Sequence, residues 1–390
     1  MMVLQDKTVA IVGGGPGGLT LAKLLQQEGI RVKVYERDFD KNARVQGAPL
    51  DLHDESGLAA LKKAGLMTVF KNSFMKGADR KTITNEQAEV FYSDHDEKPE
   101  ENFGCGHFRP EIDRGTLRRI LLDSLQPQTV IWNSHFLSME RQGAGWLLHF
   151  KDGNSAYADF VVAADGANSK IRPYVTDSKP FYSGIMMVEG TVSHASRKVP
   201  RVSSLLKGGK IMAFGNERNI LIGQKENDEI GYYLSFRWSE EWGEQGLYDF
   251  ADRTTVLEWF EKEYYDWSPV WHELLENTIE PFILRPIFCM PADEDWKIHE
   301  NVTLLGDAAH VMPPFAGEGV NMAMLDALEL SKALLTDKHT KFTQAIEVYE
   351  KSMKKRAAVA ALESLENGER MHSQNALKMM LDFFSSHSNA

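Results

Sequence analysis

From Leu304 to Leu335 the chain reads LLGDAAHVMPPFAGEGVNMAMLDALELSKALL. Asp307 ends a short apolar run, Pro313 and Pro314 stiffen the loop after it, and Gly317 and Gly319 keep that loop slim. Val320 and Asn321 then open a long amphipathic segment. A carboxylate at a strand's C-terminal edge stands where open α/β sheets bind ligands, and it accepts hydrogen bonds from hydroxyls. Glycines let a flat ring approach the backbone, and a helix start offers N–H groups and partial positive charge to an anion. A second group opens the chain: Gly13-Gly14-Gly15-Pro16-Gly17-Gly18 matches G-x-G-x-x-G. In that pattern Gly13 makes the tight turn, Gly15 admits a pyrophosphate, and Gly18 lets the helix pack on the strand. Glu36 ends the next apolar stretch, where an acid accepts ribose hydroxyls, and Arg37 follows it. The two groups together call for a dinucleotide with a flat redox ring. The reading is FAD, with its ribityl chain on Asp307 and the N(1)–C(2)=O edge of its ring at the helix start. His310 has no partner at metal spacing and reads as structural, and no metal site is expected.

The elements that must carry these residues follow from periodicity. Val9–Val12 is a continuous apolar run, as a strand covered on both faces requires. Leu19, Ala22, Leu24 and Leu25 recur at helical spacing, Gly29 fits the helix end, and RVKVYE alternates as a second strand. This is a βαβ unit, so a parallel sheet is predicted. EIDRGTLRRILLDSL reads as a helix capped by Asp113. From about Gly184 to Phe236, runs such as KIMAFG, NILIGQ and GYYLSFRW predict an antiparallel sheet. The last fifty residues are helix-biased, with a weak break at Asn367-Gly368. Their methionines, Met371, Met379 and Met380, read as core, bracing the two domains.

The fold class is therefore α/β (α+β). A discontinuous Rossmann-like FAD-binding domain is interrupted by an inserted antiparallel β-sheet substrate domain and followed by C-terminal helices. The expected boundaries are 1–75, 106–180 and 289–340 for the FAD-binding domain, 76–105 and 181–288 for the sheet domain, and 341–390 for the bridging helices.

Composition sets the outer limits. The chain has 390 residues and a formal net charge of -12, which argues against nucleic acid as the main partner. Its two cysteines, Cys105 and Cys289, fit neither a disulfide framework nor a metal site, so a reducing compartment is expected. The N-terminus lacks a basic segment before its short apolar run, and no stretch is long and apolar enough to span a bilayer. A cytoplasmic monomer acting on a small molecule, without membrane or nucleic-acid partners, is the expectation.

The glycine fingerprint, VVAADGANSKIR and GDAAHVMPPFAGEGVN, in this order, resemble the class A flavoprotein monooxygenases of the p-hydroxybenzoate hydroxylase type. Within that group, VYERD, LDLHDESGLAALKKAGL, PEIDRGTLRRILLDSL and TVIW are similar to the tetracycline-inactivating monooxygenases (tetracycline destructases, TetX type). The resemblance implies FAD contacts for Asp51, Arg114 and Asp307 and an NADPH contact for Arg44. It implies hydroxylation of an aromatic or enolic polycyclic molecule, with NADPH and O₂ as co-substrates, through a flavin C(4a)-hydroperoxide and without a side-chain nucleophile. It also places the substrate near Glu189, Lys210, Met212 and Ile222 on the sheet and beside Phe315, next to Pro314. Glu189 and Lys210 depart from the glutamine and arginine of that group, so tetracycline is a candidate only. Two alternatives remain at this stage: an FAD-dependent reductase of a prenyl or polyene lipid, and a flavin-binding partner protein without turnover.

Overall fold

Thr8–Val12 forms the middle strand of a five-stranded sheet in which every pairing is parallel. Phe160–Ala163 and then Val302–Leu304 lie on one side of it, Arg31–Tyr35 and Val130–Ile131 on the other. In this computed structural model the described residues are 3–43, 47–96, 102–103, 108–239 and 249–387. The apolar run read as a strand is buried throughout; the helix Pro16–Gln27 packs against its sheet and is in turn covered by Gly319–Leu335. A three-stranded antiparallel sheet, Phe136–Gln142, Gly145–Phe150 and Ser155–Ala158, lies against the parallel sheet, with Phe150 stacked on Tyr35 at 4.8 Å. The parallel sheet is thus assembled from segments nearly 300 residues apart in the chain, Thr8 being paired through Phe160–Ala163 to Val302–Leu304.

The second layer is a seven-stranded sheet in the order Ile283–Cys289, Phe181–Val192, Glu229–Arg237, Arg218–Lys225, Lys210–Gly215, Lys81–Asn85, Val90–Ser93. All its neighbours are antiparallel except Lys210–Gly215 and Lys81–Asn85, which run parallel. Alternation divides its side chains between two faces. Val188, Ile211, Ile222 and Tyr232 face a core with Trp259, Tyr264 and Trp271 from the helical segment 253–276. Ile185, Met187, Met212, Leu221 and Tyr233 lie on the opposite face, around Phe315.

The helix Phe342–Met371 runs unbroken through Asn367-Gly368, so the expected break there is wrong. Gly368 serves contact instead: a Cβ on it would come within 2.9 Å of the Phe315 ring, and Asn367 Nδ2 donates to the Phe315 carbonyl. The helix ends at His372, whose Nδ1 donates to the Gly368 carbonyl at 2.7 Å while Nε2 accepts from Ser235 Oγ at 2.8 Å. Burial pulls this imidazole down to about 4, so it is neutral, as that bonding requires. Ala376–His387 then docks on the sheet, where Met371 and Met380 join Ile83 and Phe214, while Met379 is 39% exposed. Among the described residues no helix is long and apolar enough to cross a membrane.

Candidate FAD and substrate site

The N-terminal glycine turn is built by contact. Gly13 has φ +112°, and a Cβ on it would lie 2.1 Å from the Ala164 carbonyl oxygen, so no other residue fits. Two residues later the space is different: a Cβ on Gly15 would meet nothing within 4 Å. Gly15 caps the helix Pro16–Gln27 without a side-chain hydrogen bond, so the first N–H groups of that helix have no side-chain acceptor at the cap. A Cβ on Gly18 would strike the Gly13 carbonyl at 2.3 Å, which keeps helix and turn together. Glu36, buried, takes the Gly14 N–H at 2.5 Å and the Asp38 N–H at 2.9 Å, so it braces the turn it was expected to serve. Arg37 is exposed beside it. Arg118, absent from the sequence reading, donates to the Gly14 carbonyl and to Asp38 from the helix Arg114–Asp123.

At the same C-terminal end of the parallel sheet, but on its edge strand, Gly306 and Asp307 follow the buried strand Val302–Leu304. The Asp307 side chain is exposed and has no hydrogen-bond partner among the described residues. Crowding by protein atoms pushes its carboxyl up, and the charges of His310, Arg114 and Arg172 work against that push. Its own backbone is fixed. Arg172 donates to the carbonyls of Asp307 at 2.8 Å, Ala308 at 2.8 Å and Ala167 at 2.9 Å, tying the segment after Asp165-Gly166 to this loop. His310 is buried against Asp326 at 2.6 Å, and Arg356 reaches the other Asp326 oxygen at 3.1 Å.

The helix that follows begins at Gly319 with Glu318 as its cap residue and no side-chain cap. Glu318 is turned toward His53 Nδ1, 3.4 Å away, while His53 Nε2 meets Asp51 at 3.2 Å. Burial pulls the His53 imidazole down, but its bonds to Asp51 and Glu318 outweigh this and raise it to about 9. Burial pushes Asp51 up; the His53 hydrogen bond and the Lys210 charge bring it to about 2 instead. His53 is thus held between two acidic side chains, Asp51 and Glu318. Asn321 completes the joint: its Oδ1 takes the His53 N–H at 2.9 Å and its Nδ2 donates to the Asp51 carbonyl at 2.9 Å. Its side chain thus points into the protein, and only the backbone of Gly319, Val320 and Asn321 is presented at the helix start. Sequence reading missed His53 and Glu318, although LDLHD sets His53 two residues after Asp51, just past the short strand Leu50–Asp51.

These features suit a flavin dinucleotide. There are two helix starts without side-chain caps, two glycines (Gly15 and Gly319) at which a Cβ would touch nothing, and an exposed carboxylate without a partner. Pro314 and Gly317 shape the loop between, with Gly317 at φ +70° against Asp51. Arg114 sits exposed at the first turn of its helix, whose cap Asp113 takes the Gly115 and Thr116 N–H groups. Arg44 lies outside the described residues, as does Cys105. Cys289 is a buried free thiol, pushed up to about 11 by burial.

On the sheet side the expected residues separate. Met212 faces Phe315, but Ile222 lies on the other face, in the helix-covered core, and is corrected here. Ile222 pairs with Ile211, whereas Leu221 pairs with Met212; a slip of one residue inverts the face. Glu189 shares Phe315's face, yet both its oxygens are engaged, one by the Gly47 N–H at 3.0 Å and one by Arg285 Nε. Lys210 is likewise engaged, its ammonium on Glu111. Glu189 thus has both oxygens taken within the protein, whereas the Lys210 ammonium keeps further N–H donors beyond its pair with Glu111. Tyr233 and Arg285, which the sequence reading did not single out, stand beside Glu189.

A model of the FAD binding domain family matches residues 6–246 and 293–363, and the chain belongs to that family. Monooxygenase asqM of Emericella nidulans is 27% identical over 86% of this chain and 85% of its own length. Among solved structures, Klebsiella pneumoniae HpxO with FAD and uric acid superposes with a TM-score of 0.77 at 20% identity, over 98% of this chain and 93% of that one. Tetracycline destructase Tet(55) gives 0.74 at 17% identity, over 95% and 90%. At those identities the two structures share the fold.

Proposed function

We propose that this member of the FAD-binding family is an NADPH-consuming monooxygenase of an aromatic or enolic polycyclic molecule, with tetracyclines among the candidate substrates. The balance is substrate–H + O₂ + NADPH + H⁺ giving substrate–OH + H₂O + NADP⁺. The kinship with asqM supports the monooxygenase class. The tetracycline reading rests on the sequence likeness and on the fold shared with Tet(55).

The observation that carries the proposal is Asp307: an exposed carboxylate with no described partner, clamped by Arg172, on the loop that leads to the bare helix start at Gly319. FAD, when bound, supplies the redox and oxygen chemistry. The chain's part is placement. Asp307 would accept hydrogen bonds from ribityl hydroxyls, and the helix starts at Pro16 and Gly319 would hold the pyrophosphate and the electron-rich edge of the ring. Phe315, Tyr233, Met212 and Leu221 form an apolar wall that shields the reacting ring from water. Arg44 is assigned to NADPH.

Asp307→Ala should weaken FAD binding by about 1–3 kcal/mol, the scale of a lost charged hydrogen bond. Apoprotein stability should hardly change, because the carboxylate bonds to nothing in the described structure. Retention of full FAD affinity would remove Asp307 from this role. The activity itself is tested by incubating the holoenzyme with NADPH, air and a panel of tetracyclines and phenols. Mass spectrometry should find a product heavier by one oxygen atom, and ¹⁸O₂ should label it. NADPH oxidation without labelled product from any member would overturn the reading.

A further inference from the structure

We infer that Arg285 is the anchor for an anionic group of the substrate, a carboxylate or a deprotonated phenol or enol. This deepens the monooxygenase reading and rests on it. Arg285 lies on the edge strand Ile283–Cys289, paired with Met187, so it shares a face with Met187 and Ile287 beside Phe315. Its Nε donates to Glu189, a carboxylate only 6% exposed, whose other oxygen is held by the Gly47 N–H. Burying Glu189 requires this compensation, and the same bond fixes the plane of the guanidinium.

What remains is the outer edge of the fork. Arg285 is 41% exposed, and its two Nη groups make no hydrogen bond to any described residue. Those groups present parallel N–H donors with the geometry that matches a carboxylate. Tyr233, directly across the ladder from Glu189, adds a neutral donor. Its phenol oxygen accepts the Ala48 N–H at 3.0 Å, and its own hydroxyl proton has no acceptor among the described residues. Burial holds this phenol protonated. Ile185, Met187 and Ile287 beside them give any charge pairing made there an apolar flank, which strengthens it. An anion on Arg285 would set the attached ring between Tyr233 and Phe315.

The test uses FAD-loaded protein and acid–amide pairs, salicylate with salicylamide and 4-hydroxybenzoate with 4-hydroxybenzamide. Binding is followed by perturbation of the flavin absorbance at neutral pH. Wild type should bind each acid roughly ten-fold or more tightly than its amide, the scale of a charge-assisted pair. Arg285→Gln should abolish the preference at unchanged FAD content. Glu189→Gln, which keeps the cation, should preserve it. Equal binding of acid and amide, no spectral change with any probe, a preference that survives Arg285→Gln, or its equal loss in Glu189→Gln would each overturn the assignment. Protein that holds no FAD would instead overturn the monooxygenase reading beneath it, so the two failures are distinct.

Discussion

The two walls of the site are made of different material. On the parallel-sheet side the working groups are backbone: glycine turns, bare helix starts and carbonyls clamped by Arg172, joined by the exposed carboxylate of Asp307. On the seven-stranded side they are side chains, Met212, Leu221, Tyr233 and Arg285, set out by strand register. A backbone wall leaves its mark on sequence as glycine and proline at fixed spacing. A side-chain wall leaves only alternation, and alternation does not say which alternate is inside.

The contrast is sharpest at the glycines. Gly13→Ala forces a Cβ into the Ala164 carbonyl at positive φ, and should cost at least about 3 kcal/mol of stability in urea unfolding. Gly15→Ala, two residues away, should leave stability within about 0.5 kcal/mol while lowering FAD affinity. If both variants unfold alike, the turn is structural throughout and the cofactor role of Gly15 falls.

The second break is on the other wall. Ile222→Ala should cost about 2–5 kcal/mol as a core truncation and leave the substrate KM unchanged. Leu221→Ala, its half-exposed neighbour, should cost less than about 1.5 kcal/mol yet shift the KM. A KM effect at 222 with none at 221 would reverse the register assignment.

The smallest effects are on pH. His53 is raised to about 9, so its share of stability is complete below the ordinary imidazole value and is lost as pH climbs through about 9. His372 is depressed to about 4, so its share is complete above the ordinary value and falls away as pH drops toward about 4. His53→Gln should flatten the alkaline limb of a melting profile, and His372→Gln the acid limb. Unchanged limbs in both would mean that neither imidazole is held as its partners imply.

This division explains what was legible. The strand Val9–Val12, the turn at Gly13 and the cap at Asp113 each carry a local signature, and each stands where that signature points. Ile222 was misplaced because its neighbours decide its face, and those neighbours are a ladder away. Glu189 was placed at the substrate because nothing in its own segment announces Arg285, 96 residues on. Gly368 read as a weak break in the helix because sequence cannot show the Phe315 ring that needs its bare surface.

Arg172 grips carbonyls on either side of a long excursion of the chain, and Val302–Leu304 closes the edge of a sheet begun at Thr8. On the ribosome, then, a nascent polypeptide of some 300 residues already carries the phosphate turn but lacks Asp307 and the bare helix start. In the proposed binding mode, full FAD affinity therefore requires that synthesis has passed the strand Val302–Leu304 and the helix start at Gly319.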